Sequence, residues 1–254
     1  MNTMTRAAPA QPWRPYWLEA RNEFLRLLRS PSFAVPTLVF PPMFYVLFAV
    51  LLNHKGGTPV ASYLLATYGV FGVMAPGLFG FGVAIAMDRE RGFLALKRAM
   101  PVPAGAVLGA RMAMAMLFAA AISLILMAIG TTIAGVTLTA SQALGLLAVD
   151  MLGVLPFCAI GLFVGSLVSG QGAPAVINML YLPMAFLAGL WMPLSMLPKF
   201  IGELAPLWPA HHLAQVALEV VGAPNDGRTG MHLLVLAAVG VVFFLLARRR
   251  LARA

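Results

Sequence analysis

The chain has 254 residues, of which 61% are hydrophobic and only 10% are charged, and its formal net charge is +9. A soluble domain of this length needs far more charge on its surface, so the composition excludes an ordinary soluble protein and predicts membrane-spanning helices. Because the basic residues lie beside apolar runs, we interpret them as orientation signals and contacts with membrane lipids, and we expect no binding to nucleic acid.

The first predicted element is an amphipathic helix at residues 17–29. Trp17, Phe24 and Leu28 fall on one helical face, while charged residues such as Arg21 cover the remainder. This pattern is typical of a helix lying flat on the cytoplasmic leaflet. Residues 1–32 are therefore predicted to form a cytoplasmic N-terminus with an interfacial helix.

Six apolar runs follow, each of a length that suits a membrane-spanning helix. They cover residues 33–52, 62–87, 112–134, 144–168, 174–192 and 231–247. The predicted fold class is therefore an all-α polytopic membrane protein, with residues 1–254 forming one domain. In that domain residues 33–247 form a six-span bundle and residues 248–254 form a cytoplasmic tail.

The distribution of basic residues predicts the orientation. With six spans and the N-terminus inside, only Lys55, Lys199 and Arg228 of the 17 basic residues would lie outside. Such a bias predicts that both termini lie in the cytoplasm, and we expect a multi-pass protein of the bacterial cytoplasmic (inner) membrane. The one long outer segment, residues 193–230, is interrupted by Pro206, Pro209 and Pro224 and is predicted to form short re-entrant helices.

A dense charge cluster, Asp88-Arg89-Glu90-Arg91-Gly92, stands between two long uncharged runs and is called the charged string below. Lys97 and Arg98 follow it. Charges this close together in so apolar a chain must meet water or a protein partner. The simpler alternative is a solvated loop that only fixes the topology, but acidic residues beside arginine are unnecessary for that purpose.

The sequence offers no obvious energy source of its own. None of the three lysines lies in a glycine-rich phosphate-binding loop, so we expect no ATPase activity in this chain and no catalytic residues. Asp150 is the one acid inside a predicted span, and we interpret it as a hydrated side chain near the interface rather than an ion-coupling group. His211 and His212 are adjacent and cannot share a helical face, so no metal site is predicted.

The fifth predicted span has the richest polar pattern. Asn178 and Tyr181 lie one helical turn apart, with Met184 one turn further. Hydrogen-bonding groups beside pliable methionine would suit a cavity for an amphipathic molecule. A hydrogen bond between helices of the bundle is the alternative. In the second and fourth spans, Gly80, Gly161 and Gly165 are predicted to allow close helix packing.

Three stretches carry a resemblance to a known family. They are the charged string followed by Ala99-Met100-Pro101-Val102-Pro103, then Gly189-Leu190-Trp191-Met192-Pro193-Leu194, and then Leu207-Trp208-Pro209. With the six spans they resemble the permease subunit of type-2 ABC transporters, of the drug or antibiotic exporter kind. Asp88, Met100 and Trp208 depart from the residues common in that family, which blurs the subfamily.

The resemblance implies a homodimer, or a pair with a related permease, docked on separate ABC ATPase subunits that hold ATP and Mg²⁺. This chain would hold no cofactor and no metal. It would form the path for a hydrophobic or amphipathic cargo such as a drug, antibiotic or lipid-like molecule. The implied sites are a coupling surface (Asp88, Arg89, Glu90, Arg91, Gly92, Lys97, Arg98), a substrate path (Asn178, Tyr181, Met184) and an outer gate (Leu190, Trp191, Met192, Phe200).

Two other classes compete with this reading. A six-span intramembrane protease would need a glycine where Leu167 precedes Ser169-Gly170, and a histidine within a span. A secondary transporter or channel is disfavoured because the spans contain almost no acids and no internal repeat.

Overall fold

The computed structural model describes residues 21–22, 25, 29–53, 57–93 and 104–251. Within these residues every regular element is helical, so the predicted all-α class is confirmed for this part of the chain. Most of the predicted interfacial helix at 17–29 lies outside the described residues, as do Lys97 and Arg98.

The described part of the chain contains eight α-helices joined by short connections. In chain order they are α1 (Pro31–Tyr45), α2 (Gly57–Glu90), α3 (Ala104–Thr132), α4 (Ala140–Leu167), α5 (Ala173–Leu187), α6 (Lys199–Leu204), α7 (Pro209–Val221) and α8 (Thr229–Leu251). Wider π-helical turns extend α1 at Val46–Leu51 and interrupt α2 at Leu78–Val83. Single 3₁₀ turns lie at Leu194–Met196 and Ala205–Leu207, on either side of α6.

Local signals in the sequence explain where several helices begin and end. The Thr139 hydroxyl accepts a hydrogen bond of 3.2 Å from the backbone N–H of Gln142, and the Gln142 side chain accepts one of 3.0 Å from the Thr139 N–H. This reciprocal capping box starts α4. Gly222, with φ +73°, ends α7 in the left-handed conformation that glycine adopts most readily.

Among the described residues, five helical stretches are long and apolar enough to cross a membrane, and they overlap five of the six predicted spans. They are Phe33–Leu51, Gly57–Glu90, Val107–Thr132, Ala140–Leu167 and Thr229–Leu251. The predicted span at 174–192 is represented by α5, which has 15 residues. Such a helix is about 22 Å long, shorter than the roughly 30 Å of a hydrocarbon core.

Helix α2 lies at the centre of the bundle, where it packs against α1, α3, α4 and α7. In the most apolar stretch of α2, 78% of the residues are buried. In the corresponding stretch of α8 only 17% are buried, so α8 lies at the outside of the bundle. This difference explains why α2 carries the contacts that organise the candidate site.

Glycines allow α2 and α4 to approach each other closely. A methyl group added at Gly161 would lie 2.7 Å from the carbonyl oxygen of Gly77, and one at Gly165 would collide with the carbonyl of Gly82. The predicted packing role of Gly161 and Gly165 is therefore confirmed. The partner positions on α2 are Gly77 and Gly82. Gly80 is not one of them, because the atom nearest to a methyl group added there would be 3.7 Å away.

Candidate functional site

The charged string, residues 88–92, divides into an internal half and an external half. Asp88 is buried and Arg89 is half-buried at the end of α2, whereas Glu90, Arg91 and Gly92 are exposed. Gly92 has φ +73°, and it turns the chain away from α2 just after the helix ends. Side chains of the same string therefore meet different surroundings.

Asp88 forms a buried ion pair with Arg111 of α3. Only 1% of the Arg111 side chain is exposed, so both charges are withdrawn from solvent. Each of these charges is tolerated because the other is present, and loss of one partner of a buried pair typically costs about 3–5 kcal/mol. The pair fixes the end of α2 against the beginning of α3.

Arg89 caps the C-terminal end of α4. Its guanidinium donates to the carbonyl oxygen of Ser166 and, at 2.7 Å, to that of Val168. The last carbonyls of a helix lack intrahelical partners and carry partial negative charge, so an arginine fork satisfies them well. Arg89 therefore ties α2 to α4 in the way that Asp88 ties it to α3.

Glu90 and Arg91 are left as the charged part of the string that reaches the surface, and Phe93 beside them is 44% exposed. The carboxylate of Glu90 lies over Gly170, where an added methyl group would collide with it. The exposed surface of the string is therefore held in place by the two anchored residues before it.

Sequence reasoning missed Arg111, which it treated only as one more orientation signal. The structure makes it the partner of Asp88 instead. The sequence shows only that Arg111 directly precedes the uncharged run at 112–134, and helix packing is what brings it to Asp88, 23 residues away.

The three residues predicted to line the substrate path lie in two environments. Tyr181 and Met184 are buried, and the Tyr181 hydroxyl donates to the carbonyl oxygen of Phe71 at 3.1 Å. Its ring also stacks on that of Phe71, with centroids 5.0 Å apart. Asn178 lies on the exposed face of α5 beside Met179, which is 80% exposed. Tyr181 thus makes the interhelical hydrogen bond considered as the alternative, and it lies on the buried side of α5 while Asn178 lies on the exposed side.

The four predicted gate residues follow α5 and are held partly by tyrosines of α2. Leu190 is buried, Trp191 and Met192 are half-buried, and Phe200 is 59% exposed. The hydroxyl of Tyr68 donates to the carbonyl oxygen of Trp191 at 3.3 Å. The start of α2 therefore supports the segment that leaves α5.

Asp150 is a correction to the sequence analysis. It is fully buried in α4 rather than hydrated near an interface. Its carboxyl group faces Gly69 of α2 and Ser123 of α3, and neither oxygen has a hydrogen-bond partner of standard geometry among the described residues. A buried acid of this kind is costly and calls for a direct test.

His212 joins a hydrogen-bonded chain that the sequence did not reveal. Its Nε2 lies 2.8 Å from the carbonyl oxygen of Pro206, and its Nδ1 lies 2.7 Å from Nδ1 of His232. His232 Nε2 lies 2.8 Å from the Asp226 carboxylate. Because the Pro206 oxygen only accepts, the Nε2 of His212 donates to it, and a single proton lies between the two Nδ1 atoms. This row of hydrogen bonds connects α7 to α8 through His212 and His232.

The neighbouring His211 is packed in a different way. Burial first, and the nearby His212 and His232 second, lower the pKa of His211 to about 4. Its Nδ1 has no hydrogen-bond partner in the described part of the chain. The described residues contain no group of three or more ligands suited to a metal ion.

Comparison with known proteins gives two similarities that cover most of the chain. A sequence model described as "ABC-2 type transporter" matches residues 15–221. Over 231 residues the chain is 27% identical to "Putative transport permease YvfS" of Bacillus subtilis (strain 168), a match that covers 89% of this chain and 92% of that protein. The residues matched by the sequence model include the charged string and helices α1 to α7.

Proposed function

Since the chain belongs to the ABC-2 type transporter family, as a multi-pass membrane permease subunit, we propose that it forms the passage of an ATP-driven exporter. Membership of this family implies an ABC ATPase as partner and a transport subunit that is not itself an enzyme. We further propose that the partner holds ATP and Mg²⁺, and that the cargo is hydrophobic or amphipathic, such as a drug, an antibiotic or a lipid-like molecule.

The anchoring of the charged string is the observation that carries this proposal. Asp88 and Arg89 bind α3 and α4 inside the bundle, while Glu90 and Arg91 reach the surface. A partner that contacts the exposed pair therefore acts on a segment rigidly connected to three helices. Closure of an ATPase beneath the string would be converted into movement of those helices. Lys97 and Arg98 belong to the same proposed surface.

The proposed orientation has both termini in the cytoplasm and six spans in a bacterial inner membrane. Arg89 near the end of α2 donates to Val168 just after α4, and Phe163 near the end of α4 lies 5.6 Å (ring centroids) from Phe243 of α8, so these helix ends lie at the same end of the bundle. That end also carries Arg91 and Arg248, in agreement with a positive inner side. We propose that α5, with the residues up to 192, crosses as the fifth span, and that 193–230 is re-entrant on the outer side.

A second copy of the chain, or a related permease, is the proposed partner at α5. Asn178 is a polar side chain on the exposed face of a strongly apolar helix, where lipid would leave its amide without hydrogen bonds. A neighbouring subunit would supply partners for it. The passage would then run between the two copies, with the segment from Leu190 to Phe200 at its outer end.

The proposal is tested by purifying the chain together with a candidate ABC ATPase subunit. Glu90→Ala and Arg91→Ala are expected to weaken the complex and the ATPase stimulation, because both side chains are exposed and neither holds the fold together. Lys199→Ala and Glu203→Ala, which remove exposed charges on α6, are the matched controls. Wild-type assembly and hydrolysis in both string variants would overturn the coupling role.

A further inference from the structure

An apolar groove runs along the outside of the bundle, on the side formed by α4 and α8. Its volume is about 730 Å³, within the roughly 300–1,000 Å³ of typical ligand sites. Helix α4 contributes Leu152 and Pro156, helix α8 contributes Gly240 and Phe244, and α3 contributes Gly109. Apart from the Cys158 thiol, no side chain along its walls is polar, so the groove suits a hydrocarbon chain and offers nothing to a polar molecule.

The groove is long and follows the direction of the membrane-spanning helices. On α8 its lining residues extend from Leu233 to Leu245, which corresponds to about 18 Å at 1.5 Å per residue. One leaflet contributes roughly half of the 30 Å hydrocarbon core, or about 15 Å. An extended acyl chain from one leaflet therefore matches the groove better than a compact molecule does.

One end of the groove is marked by a positive charge. Arg248 follows Phe244 by four residues and Leu245 by three, so it continues the face of α8 that lines the groove. Arg248 is exposed just beyond the last apolar lining residue. Arg250 is also exposed, but the helical period places it on another face. A lipid phosphate at Arg248 would thus have its acyl chain directed into the groove.

We propose that this groove binds an acyl chain of an anionic phospholipid from the cytoplasmic leaflet, with the lipid phosphate at Arg248. The inference rests on the orientation given under the proposed function, and it concerns a different face of the molecule from the exposed side of α5. The bound chain would fill the space between α4 and α8 and connect α8 to the rest of the bundle.

Two substitutions remove the two parts of this site separately. A methyl group added at Gly109 would meet no atom within 4 Å, so Gly109→Leu is expected to fill the groove without disturbing the fold. Arg248→Gln removes the charge at its end. The matched controls are Gly202→Leu, at another open glycine outside the groove, and Arg250→Gln, which removes the same charge from another face of α8.

The experiment uses the full chain in detergent, without its ATPase, and equal amounts of phosphatidylglycerol and phosphatidylcholine with identical acyl chains. Native mass spectrometry counts the lipids that remain bound. The wild type is expected to retain phosphatidylglycerol preferentially, and Arg248→Gln to lose about fivefold in affinity for it. Gly109→Leu is expected to lose retention of both lipids, while both control variants match the wild type.

Several results would overturn the lipid site. Equal retention by all variants would exclude the groove, and equal loss in Arg248→Gln and Arg250→Gln would indicate a nonspecific basic surface. A change of oligomeric state in Gly109→Leu with unchanged lipid retention would mean that a second copy occupies the groove. Because no ATPase is present, failure of this test leaves the proposed coupling role standing, and failure of the coupling test leaves lipid retention unaffected.

Discussion

Arg111 and Asp88 form an ion pair closed to solvent, although one residue lies two turns into α3 and the other lies in the last turn of α2. The string that was expected to be wholly a contact surface therefore has an internal half. Asp88 and Arg89 hold helices together, and Glu90 and Arg91 remain for a partner. Substitutions within these four consecutive residues should consequently produce two different kinds of defect.

Asp88→Ala is expected to destabilise the folded chain by about 3–5 kcal/mol, because it removes one side of a buried ion pair. Replacing both residues by apolar ones, as in Asp88→Leu with Arg111→Met, is expected to recover much of that loss. Unfolding in detergent, followed by the melting temperature, compares the variants. A double variant as unstable as the single one would show that the pair is not what holds this corner together.

Arg89→Lys is expected to loosen the end of α4, since an ammonium group cannot reproduce the fork that reaches the carbonyls of Ser166 and Val168 together. Hydrogen exchange should speed up near the C-terminal end of α4 and stay unchanged near its capped start at Thr139. The conservative change keeps the charge, so orientation in the membrane is preserved. Unchanged protection at the end of α4 would contradict the capping role.

Hydropathy predicted the helical class and five of the spans because long apolar helices are visible in composition alone. The span at 174–192 stays a prediction, because this apolar run continues past α5, which ends at Leu187 before Gly189 adopts φ +76°. The charged string was found because charges are conspicuous in this chain. The division of the string into buried and exposed residues was not predicted, since Arg111 lies 23 residues from Asp88 and only helix packing brings the two together.

Other parts of the site depended on small angular differences or on distant partners. Asn178 and Tyr181 are separated by about 60° around a helix, which is enough to bury one and expose the other. The partner of His212 is His232, which comes from the last span and not from α7, where the adjacent His211 lies. Neither relationship follows from a sequence pattern, because each is decided by how the helices are arranged.

Acidification from about pH 6.5 to about pH 4 is expected to destabilise the packing of α7 through His211. Burial, and then the neighbouring His212 and His232, lower the pKa of His211 from 6.5 to about 4. Between these values the unfolded chain takes up a proton that the folded chain does not, so stability falls with falling pH. Burial lowers the pKa of His212 as well, which acts in the same direction.

The measurement is the melting temperature of the wild type and of His211→Phe across that range of pH. Phenylalanine keeps a ring of similar size but does not titrate, so the variant should lose less stability on acidification. Asp226 affects stability only at lower pH than His211. Burial raises the pKa of its carboxyl group, but the hydrogen bond with His232 outweighs this and lowers that pKa from 3.8. Identical pH profiles for the two proteins would show that His211 is not the group responsible.

Asp150→Asn and Asp88→Asn make the same chemical change at two buried acids and are expected to act in opposite directions. Asp88 forms an ion pair with Arg111, so the amide removes the negative charge from a buried ion pair and destabilises the fold. Asp150 has no hydrogen-bond partner of standard geometry among the described residues, so a neutral amide of the same size should keep or raise the melting temperature.

The Asp150 variant also separates the ATP-driven passage from an ion-coupled transporter. Vesicles containing the chain and its ATPase are expected to export a hydrophobic dye with Asp150→Asn nearly as fast as with the wild type, and only when ATP is supplied. An ion-coupled carrier would need this acid, the one carboxyl group buried in the middle of a described span, and would keep working without ATP. Loss of export in a folded Asp150→Asn protein would therefore argue that the carboxyl group takes part in transport.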